Sequence, residues 1–270
     1  MPIITISRGS ASGGILLAKG LAEKTGYRLV SREDIIQSAS KYGVASDTLE
    51  EALLKPPGFW ERFRHERRRY LSFVQAALCD QAKEDGIIYH GNAGYILLRG
   101  ISHVLCVHVV APLPYRIEML MKRENMLRED AVRYIEKMDQ YRRDWTRFLY
   151  GVDWLDPNLY DLMINLKTLD IRGAVDIVAA AASRAEFQST DESRKYMEDL
   201  LLASRVRSAL AANHKTASVE IDVEARAGII YLKGKIRPTS LIDAVVETVG
   251  KVKGVNEINQ EGLGIPNYNV

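Results

Sequence analysis

Cysteine is scarce in this chain. Two cysteines among 270 residues, Cys79 and Cys106, exclude a disulfide-rich secreted scaffold, and their spacing matches neither a metal site nor a redox motif. We therefore expect buried free thiols, which suit a reducing compartment. No window of about 20 residues is free of charged side chains, and the amino terminus lacks the pattern of a secretion signal, so we expect a cytoplasmic protein. A formal net charge of +2 gives no reason to expect nucleic acid as a partner.

What the chain does contain is an alternation of short apolar runs with helix-like segments. The runs cover residues 3–6, 27–30, 86–89, 104–110 and 162–165. Such alternation is typical of crossover units laid onto a parallel sheet. The sequence therefore predicts an α/β domain over residues 1–185, with a parallel sheet flanked by helices.

The pattern changes after a polar stretch, residues 186–194, which we interpret as a linker. Residues 195–270 predict a helix, two strands, a helix and a last strand, so the order is αββαβ. The stretches RVRSAL, AGIIYLKGKI and VKGVNEI occur there in this order, and on them this part resembles the BON domain. The resemblance implies a phospholipid surface or a protein as partner. Because this part has its own hydrophobic pattern, we expect residues 194–270 to fold alone.

A Gly/Ser-rich run, SRGSASGG, lies between the first apolar run and the first helix-like segment. Small residues allow successive backbone N–H groups to converge on phosphate, with a helix N-terminus behind them. In the spacing G-x-x-x-x-G-K-[ST], Gly9 and Gly14 match, whereas Ile15 and Leu16 stand where lysine and a hydroxyl are expected. The run is thus either a phosphate-binding loop without its lysine or a tight turn that binds nothing.

Longer stretches resemble the cytidylate-kinase-like branch of the P-loop nucleoside monophosphate kinases. They are ITISRGSASGG with LAEKTGYRLVSRE, then VHVVAPLPYRIEMLMKREN and AVRYIEKMDQYRRDWTRFLYGVDWLDPNLYDLMIN, which together span most of residues 1–180. The resemblance implies a P-loop kinase fold and a nucleoside triphosphate bound with Mg²⁺. It also implies transfer of the γ-phosphoryl group to a nucleotide or another small phosphorylated acceptor.

The resemblance also assigns phosphate contacts at the first strand and its loop. Arg8 is expected to supply the positive charge that Ile15 lacks, and it is placed among the catalytic residues. The other expected phosphate-binding residues of this region are Ser7, Gly9, Ser10, Ser12, Gly13 and Gly14.

Five arginines follow the VHVVAP strand, where the family carries an arginine-bearing lid: Arg116, Arg123, Arg142, Arg143 and Arg147. Arg142 and Arg143 are predicted to stabilise transition-state charge, with Asp139, three or four residues away, orienting one of them. Arg123 and Arg147 are predicted to bind phosphate. The alternative for any one of them is a solvated helix face.

Acceptor contacts are predicted at Arg32 and in the stretch YHGNAGY, at His90, Asn92 and Tyr95. The family usually carries Gly-Arg-Gly in this stretch, and here the matching residues are His90, Gly91 and Asn92, so the arginine is missing. Asp153 is a candidate for an Mg²⁺ or ribose contact, with packing of its segment as the alternative. No other metal ligand is assigned.

Two functions from different classes remain open. The retained lid arginines favour catalysis. The two missing cations, at Ile15 and Gly91, favour a sensor that binds a nucleotide without turnover and signals through the BON-like part. A third alternative is that this part forms homo-oligomers.

Overall fold

The computed structural model describes residues 1–43, 64–91 and 93–264, with the backbone alone for residues 64–68. The chain divides into two compact units. The first unit contains Met1–Asp34 and Glu84–Thr190, and the second contains Ile35–Lys83 and Asp191–Val270.

The first unit is built on a parallel five-stranded sheet. Its strands are β1 (Ile3–Arg8), β2 (Arg28–Ser31), β3 (Ile87–His90), β4 (Val104–Val110) and β5 (Leu162–Asn165), in the order β2-β3-β1-β4-β5. All four neighbouring pairs are parallel, so the strands end at one edge of the sheet. The five predicted strands and the parallel sheet are confirmed.

Helices connect these strands. They are α1 (Gly14–Thr25), α4 (Gly94–Leu97), α5 (Leu113–Glu124), α6 (Arg128–Tyr150) and α7 (Ile171–Ala182), and α2 (Arg32–Ala39) begins in the first unit and ends in the second. Leu17 and Leu21 of α1 and Val178 of α7 are buried with the β1 and β4 side chains. Helices α5 and α6 share a separate small core of Ile117, Leu120, Ala131 and Ile135.

The second unit contains the predicted αββαβ module. Its elements are α8 (Asp191–Ala212), β6 (Ile221–Arg226), β7 (Ile229–Lys235), α9 (Ser240–Gly250) and β8 (Glu257–Gly264). Strand β7 pairs antiparallel with β6 and parallel with β8, so the sheet is mixed. The β6–β7 turn needs Gly228, because its φ is 85° and Asn256 fills the space where a side chain would lie.

This unit also contains α3 (Arg64–Ala82), a helix from the part of the sequence assigned to the α/β domain. Helix α3 lies along α8: the Ser208 hydroxyl donates to the Ser72 carbonyl at 2.8 Å, and Arg205 pairs with Asp80 at 2.7 Å. Compactness therefore groups residues 35–43 and 64–83 with the second unit, while the bounds 1–185, 186–194 and 195–270 stay a prediction. The predicted linker 186–194 contains a 3₁₀ turn that ends at Phe187 and the first turn of α8.

Both cysteines are free; Cys79 is buried and Cys106 half-buried. Burial raises the pKa of each thiol to about 12, so both are protonated at neutral pH. Across the described residues, no helix combines the length and the apolar character that crossing a membrane requires.

Candidate active site

The loop between β1 and α1 lies at the carboxyl edge of the parallel sheet. Ala11 and Gly13 have positive φ angles of 55° and 88°, so the backbone reverses sharply before α1 begins. The buried Ser12 hydroxyl is within hydrogen-bond distance of the carbonyls of Gly9, at 3.0 Å, and Val109, at 3.2 Å. Ser12, predicted to bind phosphate, thus holds the loop in shape. The N-terminus of α1 has no side-chain cap, so its first N–H groups are available to an anion.

Ser10 is the residue at which the loop meets helices α5 and α6. Its N–H donates to the Asp139 carboxylate at 3.0 Å, and its carbonyl accepts from Arg116 Nε at 2.7 Å. Its hydroxyl accepts from Arg142 Nη1 at 2.8 Å. Asp139 also pairs with Arg116 and lies 3.6 Å from Arg142. One carboxylate therefore links two arginines and a loop amide.

Arg142 is largely buried beside the loop, with its side chain 20% exposed. Burial, and then the neighbouring charge of Arg8, lower the pKa of its guanidinium to about 10, so it stays positively charged at neutral pH. A second hydrogen bond runs from Arg142 Nη1 to the Arg8 carbonyl at 3.4 Å. The structure thus brings Arg142 and Asp139 to the loop, and their three-residue spacing places the two side chains on one face of α6.

Arg8 extends from the end of β1 past the start of α1. Its side chain occupies the space that a Cβ at Gly14 would need, which explains the glycine there. Burial lowers the pKa of the Arg8 guanidinium, and the charges of Arg32 and Arg123 lower it further. No carboxylate in the described ranges forms an ion pair with Arg8. A cation beside the positive end of a helix creates a strongly positive region that favours a bound anion.

The remaining predicted arginines have other partners. Arg147 pairs with Asp153 at 2.7 Å, and Arg143 lies 4.0 Å from the same carboxylate. Arg123 is exposed and pairs with Glu124 at 2.7 Å. The structure therefore separates Arg142, which reaches the loop, from Arg143, Arg147 and Arg123, which do not.

Comparison with known proteins decides the family. The family model described as the cytidylate kinase-like family matches residues 3–168, and that of the BON domain matches residues 198–261. The chain belongs to the cytidylate kinase-like family. It is 26% identical over 181 residues to the cytidylate kinase of Methanocaldococcus jannaschii, covering 66% of this chain and 96% of the relative. It is 28% identical over 198 residues to the cytidylate kinase of Pyrococcus horikoshii, covering 73% of this chain and 96% of the relative.

A solved structure agrees with the fold. A crystal structure of an uncharacterized protein from Eubacterium ventriosum superposes with a TM-score of 0.54 at 22% identity. The match covers 68% of this chain and 100% of that chain. At this identity the match supports the P-loop kinase-like fold alone. The carboxy-terminal match and the αββαβ order identify the second module as a BON domain.

In this cytidylate kinase-like chain, the predicted acceptor residues lie near strand ends. His90 ends β3, and burial, followed by the charge of Arg8, lowers the pKa of its imidazole. Arg32 opens α2, while Ser31 and Asp34 cap that helix through reciprocal hydrogen bonds of 3.1 and 2.7 Å. The cap of α2 is therefore formed without the Arg32 side chain. Asn92 lies outside the described residues.

Ser7 and Tyr95 belong to a buried cluster at the same sheet edge. The Tyr160 hydroxyl is 3.2 Å from Ser7 Oγ, and the Tyr95 ring lies 4.8 Å from the Tyr160 ring. His108 stacks on Tyr160 at 4.6 Å. Ser7 and Tyr95, predicted to touch phosphate and acceptor, are both buried in this cluster.

The residues at the usual lysine and hydroxyl positions are apolar and partly exposed, Ile15 at 39% and Leu16 at 40%. The family implies Mg²⁺, yet Leu16 offers it no ligand, and Asp153 is already paired with arginines. No group of three or more histidine, cysteine or carboxylate side chains is placed to hold a metal within the described ranges. These residues do not fit a protein-held Mg²⁺ site.

Sequence reasoning missed one loop contact. The sequence pattern places Arg116 among the lid arginines without a specific role, whereas in the structure its guanidinium lies over Gly9 and binds Ser10 and Asp139. The contact joins residues 106 positions apart, so no local pattern reports it.

Proposed function

We propose that this protein is a P-loop phosphotransferase that moves the γ-phosphoryl group of a nucleoside triphosphate to a nucleotide or another small phosphorylated acceptor. The observation that carries the proposal is the convergence of Arg8, Arg116 and Arg142 on a loop that lacks its lysine. They come from β1, α5 and α6: Arg8 lies against Gly14 at the uncapped start of α1, and Arg116 and Arg142 bind Ser10 of the loop.

Phosphoryl transfer requires that the protein position the two substrates and neutralise the phosphate charge, and it requires little covalent catalysis. In the transition state, the transferred phosphoryl group carries negative charge on its three equatorial oxygens, and backbone N–H groups and guanidinium groups stabilise this charge. In our proposal the loop amides and the start of α1 bind the phosphates, and Arg8 and Arg142 act as the catalytic cations. Asp139 holds Arg116 and Arg142 in place. Mg²⁺ enters with the triphosphate, since the described residues supply no fitting site.

The proposed acceptor is a nucleoside monophosphate, because the relatives named above are cytidylate kinases. Cytidine monophosphate is the first acceptor to test. Gly91 stands where the family usually carries an arginine, with His90 and Asn92 on either side of it, so we also propose that acceptors beyond cytidylate be tested. Burial, and then the charge of Arg8, lower the pKa of His90, so in our proposal the neutral imidazole is a hydrogen-bond partner of the acceptor.

The test is a nucleotide screen by thermal shift, followed by a coupled assay for the diphosphate product with each hit. Arg142→Ala should lower turnover about 100- to 1,000-fold with a smaller effect on triphosphate affinity. Arg133→Ala is the matched control, since Arg133 lies on the same helix, 69% exposed and paired with Asp130. Equal turnover of the two variants would contradict the proposal.

The exposed Ile15 and Leu16 favour a second candidate, a nucleotide sensor without turnover. In that case stabilisation by a nucleotide would occur with no product from any acceptor. The BON domain would then pass the bound state to a phospholipid surface or a protein partner, or mediate homo-oligomers. Hydrogen exchange over residues 195–258, with and without saturating nucleotide, tests the sensor, and identical protection would reject it.

We also propose a cytoplasmic location. It is supported by the two unpaired cysteines.

A further inference from the structure

The second unit contains a cavity whose lining includes none of the candidate active-site residues. Its volume is about 430 Å³, which is within the range of small-molecule sites, roughly 300–1,000 Å³. Helices α3 and α8, the segment after α8 and the β6 edge form its walls. Leu71, Leu210, Val219 and Ile221 supply most of the aliphatic lining.

Arg207 of α8 places a positive charge in this cavity. Its Nη1 donates to the Val223 carbonyl at 2.7 Å, and its Nη2 donates to Gln75 Oε1 at 3.2 Å. Both partners are neutral, and in the described part of the chain no carboxylate forms an ion pair with Arg207. Burial lowers the pKa of this guanidinium, although it remains charged at neutral pH.

A charge removed from water is costly unless an opposite charge or hydrogen bonds compensate for it. A guanidinium has five N–H groups in a planar fork, and two neutral acceptors do not satisfy them all. The charge of the exposed Asp222 favours the charged form of Arg207 without forming an ion pair, and an oxyanion in the cavity would complete the compensation. Arg205, two residues earlier, shows the contrast, because it forms an ion pair with Asp80 at 2.7 Å.

Half-buried Arg69 and the exposed Asp222 and Glu224 also line the cavity, so with Arg207 the lining carries two positive and two negative charges. The charges of Asp222 and Glu224 thus offset those of the two arginines. The two carboxylates disfavour a ligand with several negative charges. The aliphatic lining favours a ligand with a short apolar part. We propose that this cavity is a binding site for a small monocarboxylate with a short aliphatic tail, whose carboxylate pairs with Arg207.

The test uses the full chain and three probes: 4-methylpentanoate, its neutral isostere 4-methylpentanamide, and inorganic phosphate. Ligand-observed NMR and thermal shift should show binding of the carboxylate at least tenfold tighter than of the amide or of phosphate. Equal binding of acid and amide would overturn the proposal, as would tighter binding of phosphate or the absence of carboxylate binding.

Gln75→Glu provides a variant that imitates the ligand. It places a carboxylate 3.2 Å from the Arg207 nitrogen without changing side-chain size, so it should raise the melting temperature and weaken 4-methylpentanoate binding at least tenfold. Arg205→Gln is the control and should bind the probe as the natural chain does. Undiminished binding in a folded Gln75→Glu variant would overturn the proposal, and the comparison of acid with amide decides it if that variant fails to fold.

Discussion

Replacing Asp139 by asparagine tests the link between the loop and helices α5 and α6. The carboxylate accepts the Ser10 N–H at 3.0 Å and holds Arg116 and Arg142, while its side chain is 25% exposed. Asparagine keeps the shape and one acceptor oxygen but removes the charge. A hydrogen bond to a charged group contributes about 1.5–3 kcal/mol, so we expect the unfolding free energy to fall by about that amount.

The same substitution should have the opposite effect on triphosphate affinity. In the proposed complex a phosphate oxygen takes the Ser10 N–H, so Asp139 competes with the ligand for this donor and for the two arginines. Loss of its charge raises the net positive charge of the site by one. If about 1.4 kcal/mol of the competition is removed, affinity rises about tenfold. Turnover should fall, because Arg116 and Arg142 lose the group that orients them.

Calorimetric titration with a non-hydrolysable triphosphate and chemical denaturation measure these two effects. Asp144→Asn is the matched control, since Asp144 is on the same helix and bonds Gln140 at 2.8 Å rather than the loop. Weaker triphosphate binding by Asp139→Asn, with unchanged stability, would refute the reasoning, because the carboxylate would then be neither a competitor nor a structural link.

Three further predictions follow from the same structure. Gly14→Ala should displace the Arg8 side chain and weaken triphosphate binding, measured by calorimetry, whereas Gly9→Ala, whose Cβ would lie 3.4 Å from Arg116, should have little effect. Burial lowers the His108 pKa to about 4, so the stability that the neutral imidazole contributes is intact above about pH 6.5 and is lost as pH falls to about 4. Chemical denaturation should show a loss of about 3 kcal/mol in unfolding free energy over this range, and His108→Phe should remove this pH dependence. A fragment of residues 191–270 should show less helix by circular dichroism than the same fragment with residues 64–83 added, because α8 of the shorter fragment has no α3 to pack against. Equal helix content of the two fragments would contradict this.

The strands and the β6–β7 hairpin could be predicted because their signals are local. Runs such as 3–6 and 104–110 consist mostly of β-branched or apolar residues, as expected where helices cover a parallel sheet. In β6 the buried Val223 and Ala225 alternate with exposed residues, as expected for a sheet with one solvated face.

The partners of the arginines could not be predicted in the same way. Arg142 and Arg143 are adjacent in sequence, but successive residues of a helix point about 100° apart, so only one of them faces the loop. Which one does so depends on how α6 packs, and that packing is a long-range property. The same holds for α3 and α8, since the Ser72–Ser208 contact spans 136 positions. A fragment cut at residue 194 therefore loses contacts that no local pattern records.

The missing lysine of the loop changes how binding and closure are related. A lysine at position 15 would move with the loop itself, whereas Arg116 and Arg142 belong to α5 and α6. These two helices have a core of their own, and Ala11 at the tip of the loop packs against it. In the proposed enzyme, the positive charge around the phosphates therefore depends on the position of α5 and α6. Triphosphate binding and the docking of α5 and α6 on the loop should then be thermodynamically coupled, because the negative phosphates and the positive Arg116 and Arg142 stabilise each other.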